Sequence, residues 1–495
     1  MSSSRPALFF IAFISTLAVG LASAQVATQP SNVEQHIRNI QNGLVPAVLI
    51  EGQSPSTQTA KLSDRMAALH VPGVSVAVLH DGKIEWARGF GVTKTGGPSV
   101  SSSTLFQAAS ISKPVTAVAV LRLVQSGKLN LDTDVNVYLK SWKVPGNQFT
   151  AKRKVTLREL ITHTAGVTVH GFEGYAKNEP VPTLVQVLNG EKPANSPPIR
   201  VDVEPGTIWR YSGGGFVITQ LLLQDVTGKP FPALMQQMVL GPMGMIHSTY
   251  LQPLPPNRLP EAATPYDGDG KPIPGGPHTY PEMSAAGLWT TPSDLLQFAM
   301  HIQQALAGKS ASVFSAATAK EMLTRGMGQW GLGIETGGSK EHPYFTHGGA
   351  NEGFMSDFVA YDTGDGAAVM TNGNNGGQLA AAVVRTIAHE YNWPDFEPAH
   401  RTLAKIDPKI FDAYVGDYQL APGFVLTISR NGNRFFARAT GQPPLELFPS
   451  SDHDFFATEN DIQIAFVTNN QGQANELVLH QGGADHHAPR IHKPH

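Results

Sequence analysis

The chain has 495 residues, of which 41% are hydrophobic and 15% charged, so it can bury a large core, and at roughly 150 residues per domain two or three domains are expected. A formal net charge of −3 and a pI near 6.7 give no electrostatic case for nucleic acid or an anionic membrane as the main partner. Cysteine is absent, which removes thiol catalysis, disulfides and every thiolate metal site.

The N-terminus carries one positive charge, Arg5, then an apolar stretch from Ala7 to Gly20 and the small residues Ala22-Ser23-Ala24. That stretch is short for a bilayer of about 30 Å, so residues 1–24 read as a signal peptide cleaved after Ala24. The mature chain is then expected to be exported, periplasmic or secreted, with no membrane span. Residues 25–65 begin as a linker and become helical. Residues 71–92 read as two β-runs about the turn pair Asp81-Gly82, a hairpin signal.

A helix is expected from about Ser110 to Ser126, closed by Gly127, and apolar on nearly every face. Residues 165–210 are rich in Gly, Pro and Asn, and a long irregular region inside a compact domain is usually functional. GFVITQLLLQDVTG (215–228) reads as a second helix, and the TPSD run places a cap at Thr291 or near Ser293. Residues 353–371 read as another hairpin, across Thr363-Gly364-Asp365-Gly366. Composition changes near Pro394, and from Phe411 onward short strand-like runs recur, as in a small β-barrel or sandwich of about 90 residues. The boundary is set at 400, with 25–400 as one domain and 401–495 as the second. The tail histidines His486, His487, His492 and His495 read as solvated.

Chemistry concentrates at Ser110 and Lys113. Three residues apart on a helix, they share a face, with Cβ atoms about 5–6 Å apart. A serine hydroxyl needs a base to become a nucleophile, and a lysine desolvated by apolar neighbours loses its preference for the charged form. Ser110 at a helix N-terminus also offers an orphan backbone N–H for an oxyanion. Taken alone, this S-x-x-K pair reads more simply as an N-cap; Ser112 receives no role. Two further stretches change the weighting. In WRYSGGGF (209–216), Tyr211 enters a Gly-rich turn before a helix, and a phenol beside a lysine can be lowered in pKa and act as a base. In YFTHGGANEGF (344–354), His347-Gly348-Gly349 presents backbone N–H groups at a strand edge that a Cβ would hinder.

In this order the three stretches resemble the serine β-lactamase and penicillin-binding-protein superfamily, in its class C β-lactamase-like branch of esterases, D-amino peptidases and D,D-carboxypeptidases. VTLRELITHTAGV (155–167), VLGPMGMIHST (239–249) and AAGLWTTPSDLLQF (285–298) fit the same branch, and the resemblance covers roughly 45–395. It implies an α+β fold: an antiparallel sheet flanked by helices, an all-helical subdomain, and after 400 a small lipocalin-like β-barrel domain. It further implies Ser110 as the acylated nucleophile, Lys113 as proton relay and Tyr211 as general base. His347 stands where many relatives carry the Lys of Lys-Thr-Gly. The backbone N–H groups of Ser110 and Ala350 form the oxyanion hole, Gly213, Gly348 and Gly349 contact substrate, and His163 holds a nearby loop. No metal and no cofactor is implied; the partner is a small-molecule or peptide acyl substrate.

One departure bears on substrate. The family's Tyr-x-Asn is Tyr211-Ser212-Gly213 here, and the lost amide partner for a penicillin or peptide acyl group is worth about 1–3 kcal/mol. The expected order is therefore ester or small amide first, D-amino-acid peptide second, β-lactam third. A non-catalytic binding or sensor protein using the same pocket is the alternative. A metallohydrolase is disfavoured, because the 18 histidines form no H-x-H-x-D or H-E-x-x-H arrangement.

Overall fold

A computed structural model describes residues 32–309, 313–481 and 484–491; the signal-peptide segment, His492 and His495 lie outside them. After α1 (Asn32–Asn42), the hairpin of β1 (Gly73–His80) and β2 (Lys83–Gly91) forms as expected. Asp81 and Gly82 both take positive φ, 50° and 72°, the turn whose twist matches two antiparallel strands. β3 (Glu335–Gly338), β4 (Pro343–Asn351), β5 (Phe354–Tyr361) and β6 (Gly366–Thr371) complete a six-stranded antiparallel sheet in the order β2-β1-β6-β5-β4-β3.

Helices cover both faces, which explains why β1 is buried along nearly its whole length rather than at alternate residues. Its Ala77 and Leu79 belong to the larger core, while Val74, Val76 and Val78 pack with Ile37 and Ile40 of α1 and with Val383 and Ile387 of Gly376–Glu390. The period of two along the strand divides these residues between the two cores.

The central helix α2 runs Ser112–Gln125, so it starts two residues later than expected, and Ser110 sits on the turn before it. Ala109 in that turn has φ 49°, and the chain re-enters helical geometry only after it. Pro114 then falls in the first turn, where a missing N–H costs nothing. Val115, Val118, Val120 and Leu121 are fully buried, each contributing roughly 1.5–3 kcal/mol of burial, so the helix is a rigid mount. α3 (Gly213–Thr227) begins at its Ser212 cap and ends on Gly228 at φ 66°. α4 (Pro292–Leu306) is capped by Thr291, whose side chain accepts from the Asp294 N–H.

The C-terminal part is a closed eight-stranded barrel: β7 (Gly416–Ala421), β8 (Phe424–Asn431), β9 (Arg434–Ala439), β10 (Leu445–Pro449), β11 (Asp454–Ala457), β12 (Gln463–Thr468), β13 (Ala474–Gln481) and β14 (Ala484–Ile491). Its core is aromatic: Tyr414 stacks on Phe466 at 4.4 Å and Phe411 on Phe435 at 4.4 Å, with Phe455 edge-on to both Tyr414 and Phe466. Val48–Ile50 pairs with Ala399–Arg401 and packs on Phe456, which ties the barrel to the first part of the chain.

Candidate active site

The turn Ala108–Ile111 is held from three sides. Ala108 donates its N–H to Leu288 O at 2.8 Å. Ser112 Oγ donates to Ala109 O at 2.5 Å and accepts the Leu288 N–H at 2.9 Å. The serine given no role by the sequence is thus the clamp on the strained residue beside Ser110. From α2, Lys113 Nζ reaches Ser110 Oγ at 2.9 Å and Ala285 O at 2.9 Å, and lies 4.9 Å from the centre of the Tyr211 ring. Only 2% of Lys113 is exposed, and this burial pushes its ammonium down to about 7.

Tyr211 precedes the N-cap of α3 and hydrogen-bonds the Ser110 side chain. Its phenol is pushed up to about 12, chiefly by burial, against the lowering expected from a neighbouring lysine. A lysine that has itself lost most of its preference for the charge cannot pull the phenol down, and desolvation wins. His163 is where the sequence placed it, holding structure. Its Nδ1 accepts the Ser212 N–H at 3.1 Å, and its ring packs 4.4 Å from that of Tyr211. Burial first, then the nearby Lys113, keeps it neutral.

His347 lies on β4, 3% exposed. Its Nδ1 donates to Gly348 O at 2.6 Å, which leaves Nε2 as a bare acceptor, buried and without a partner. Burial and Lys113 hold the imidazole down to about 3, so it is neutral at ordinary pH. β3 ends opposite Thr346, at Glu335, so from His347 to Asn351 β4 is an edge strand. A Cβ on Gly349 would stand 2.2 Å from Ala108 O and 2.5 Å from Ser356 Oγ. The strand reaches the Ser110 turn only because residue 349 is glycine. Gly348 is different: a Cβ there would meet only Ser356 O, at 3.9 Å.

A cleft of about 540 Å³ joins these groups. Ser110, Tyr211, His347, Gly348, Gly349 and Ala350 line it, together with His170, Trp209 and Trp330, which sequence reasoning missed. Trp209 and His170 come from the irregular 165–210 region. Trp330 stands edge-on to both His163 and His347, at 5.0 and 5.4 Å. The acidic Glu335 and Asp357 also line it, and no motif announces them. A concavity of similar size, about 580 Å³, lies elsewhere, between Met66, His70 and Phe90, and carries none of this chemistry.

Gly213 is the site residue that the structure does not bring to the cleft. It is buried at the first turn of α3, and a Cβ there would stand 2.9 Å from the Phe172 ring and 3.1 Å from His170 O. Phe172 fills the space that a side chain would need, so residue 213 offers nothing to a substrate. Among the described residues, no group of three or more His, Asp or Glu is arranged to hold a metal ion, and no helix is long and apolar enough to cross a membrane.

Comparison with known proteins fits this geometry. The chain is 23% identical over 457 residues to penicillin-binding protein 4* of Bacillus subtilis (strain 168), covering 87% of this chain and 97% of the relative. It is 28% identical over 268 residues to a beta-lactamase of Pseudomonas fluorescens, covering 52% and 69%. Among solved structures, the octameric penicillin-binding protein homologue from Pyrococcus abyssi superposes with a TM-score of 0.59 at 19% identity, over 86% of this chain and 98% of that one. The D-amino acid amidase of Ochrobactrum anthropi SV3 does so at 0.55 and 18%, over 73% and 98%. Residues 400–489 match a domain of unknown function, DUF3471. The Beta-lactamase family profile matches residues 59–391, and the chain belongs to that family of serine hydrolases.

Proposed function

We propose that the chain is an exported serine hydrolase that cleaves a small ester or amide through an acyl-enzyme at Ser110. The observation that carries this reading is the 2.9 Å contact between Ser110 Oγ and a buried Lys113 whose ammonium sits near 7. Near neutrality a large fraction of Lys113 is an amine. With one N–H directed to Ala285 O, its lone pair is free to take the Ser110 proton as Oγ attacks a carbonyl. Tyr211, hydrogen-bonded to Ser110 and raised to about 12, acts as the protonated partner: it shuttles the proton to the leaving group and back from the deacylating water. Ser110 and Ala350, both on the cleft wall, supply the backbone N–H pair for the oxyanion. His347 stays neutral beside Lys113 and so does not oppose its protonation during turnover.

Substrate rank follows from what the cleft lacks. With residue 213 turned into Phe172, the acyl amide of a penicillin or peptide finds no partner there. Unsubstituted esters and amides rank first, D-amino-acid substrates second and β-lactams third. The apolar leader at residues 7–20 supports export.

Incubation with a fluorophosphonate and a chromogenic short-chain ester, with mass mapping of the adduct, tests the reading. The adduct is expected on Ser110, and Ser110→Ala is expected to abolish turnover. Turnover that survives in Ser110→Ala overturns the acyl-enzyme at Ser110, and a wild type that neither labels nor turns over favours a binding protein instead.

A further inference from the structure

The segment from Pro281 to Leu288 carries the backbone groups on which Lys113 and the Ser110 turn depend. Ala285 O receives Lys113 Nζ at 2.9 Å. Leu288 O receives the Ala108 N–H at 2.8 Å, and the Leu288 N–H donates to Ser112 Oγ at 2.9 Å. Ala286 O receives Asn351 Nδ2 at 3.1 Å from the end of β4. Within the segment only Met283–Ala286 is helical, a single turn of four residues with no side-chain cap. So short a helix does not hold its own shape in water, and its position is set from outside.

The hold comes from α3. Gln220 is buried on that helix. Its Nε2 donates to Pro281 O at 3.1 Å and its Oε1 accepts the Ser284 N–H at 2.9 Å, so one amide grips the segment on both sides of Glu282. Ser284 Oγ adds a bond to Phe216 O at 2.6 Å. Phe216 and Gln220 are four residues apart, so both ties leave from one face of α3. Neither Gln220 nor Ser284 lines the cleft. The titratable groups that face Lys113 from other elements are Tyr211, His163 and His347, and burial keeps all three neutral near pH 7. On the segment itself Glu282 is fully buried and pushed up to about 8, so below that pH it places no charge beside Ala285. The Ala285 carbonyl is therefore the fixed dipole that steadies the ammonium form, and it turns the amine so that its lone pair faces Ser110.

We propose that Gln220, helped by Ser284, is a positioning residue for Lys113: it fixes the Pro281–Leu288 segment on α3 so that Ala285 O meets Nζ and the amine is aimed at Ser110. One helix then places both partners of the nucleophile. α3 begins just after Tyr211 and, through Gln220, sets the carbonyl that orients the lysine. This rests on the acyl-enzyme reading above and adds a residue that acts on it without touching substrate.

The test is the pH dependence of fluorophosphonate labelling, with kcat and KM for a neutral chromogenic ester, in Gln220→Met. Methionine keeps the length of the side chain and loses both bonds. The wild-type rate climbs below about 7. In Gln220→Met that limb is expected about one pH unit lower, because a displaced Ala285 O no longer steadies the ammonium. The plateau rate and kcat are expected to fall about tenfold or more, with KM changed less than about twofold because the cleft wall is untouched. Leu223→Ala, buried on the same helix and without a bond to the segment, is the control for lost stability alone, and its limb is expected to stay at about 7. Should Gln220→Met not fold, Ser284→Ala, which gives up only the Oγ bond to Phe216 O, carries the same expectation of an acid shift. A limb that stays at about 7 in the folded variant, or moves towards the ordinary 10.5, overturns the proposal, as does an equal shift in Leu223→Ala. The two readings fail differently: an unmoved limb with Ser110 still labelled sinks only the role of Gln220, whereas absence of labelling at Ser110 in the wild type sinks the acyl-enzyme itself.

Discussion

Replacing Lys113 by Met keeps the length of the side chain and removes its charge. The lysine sits at about 7 against an ordinary 10.5, through burial, and a tenfold change in proton affinity is worth about 1.4 kcal/mol. Holding the ammonium in the fold therefore costs up to about 5 kcal/mol at pH values below 7. The sign follows from proton counts. Between about 7 and 10.5 the unfolded chain binds more protons at this position than the folded one, so wild-type stability rises with pH across that window. The penalty is complete below about 7 and gone above 10.5. Against it, Lys113→Met leaves Ala285 O without its donor, at about 1–3 kcal/mol. The variant is thus expected to be inactive yet more stable than wild type by about 2–4 kcal/mol at pH 6. That advantage should shrink by about 1.4 kcal/mol per pH unit above 7. Urea unfolding followed by tryptophan fluorescence reads this cleanly, because all six tryptophans precede residue 394 and none is in the barrel. A stability difference that stays constant from pH 6 to 9 refutes a desolvated lysine.

Other outcomes follow from single contacts. Gly349→Ala places a Cβ against Ala108 O and Ser356 Oγ, so β4 moves off the Ser110 turn and kcat/KM falls by about 10² or more. Gly348→Ala, whose Cβ makes only an ordinary contact with Ser356 O at 3.9 Å, is the matched control, and an equal loss in both variants counts against the close-approach argument. Gly213→Asn is expected to lower the melting temperature by overpacking Phe172, at about 1–3 kcal/mol, without creating penicillin turnover; a stable variant that gains penicillinase activity contradicts the placement of residue 213. Tyr211→Phe is expected to lose about 10²–10⁴ in kcat. In the wild type, the phenol near 12 predicts no descending limb of the pH–rate profile below about 10.

How much of this was legible in the sequence depends on whether a residue acts locally or through pairing. Ser110 and Lys113 were readable because a spacing of three residues keeps their side chains together across one turn, even though Ser110 lies on the turn before α2 and not in it. The hairpin at Asp81-Gly82 and the Thr291 cap were readable because turn and cap chemistry is local. The start of α2 was misplaced because it hangs on a positive φ at Ala109 and on Ser112 bonding to Leu288, a partner far along the chain. Gly213 was assigned to the substrate by its motif position, yet what decides its role is Phe172, forty-one residues earlier. Tyr211 was expected to be acidified by a charge that burial had already weakened. Glu335, Asp357 and Trp330 were invisible, because pairing and packing between segments distant in the chain, not spacing, bring them to the lining of the cleft.

The central claim is that Ser110 is activated by a largely neutral Lys113. The measurement that meets it most directly is the rate of fluorophosphonate modification as a function of pH, with the adduct mapped. The account predicts a single adduct on Ser110, with a rate that climbs with pH below about 7 and levels off above it. A pH-independent rate from 5 to 9, or an adduct on another serine, would contradict it.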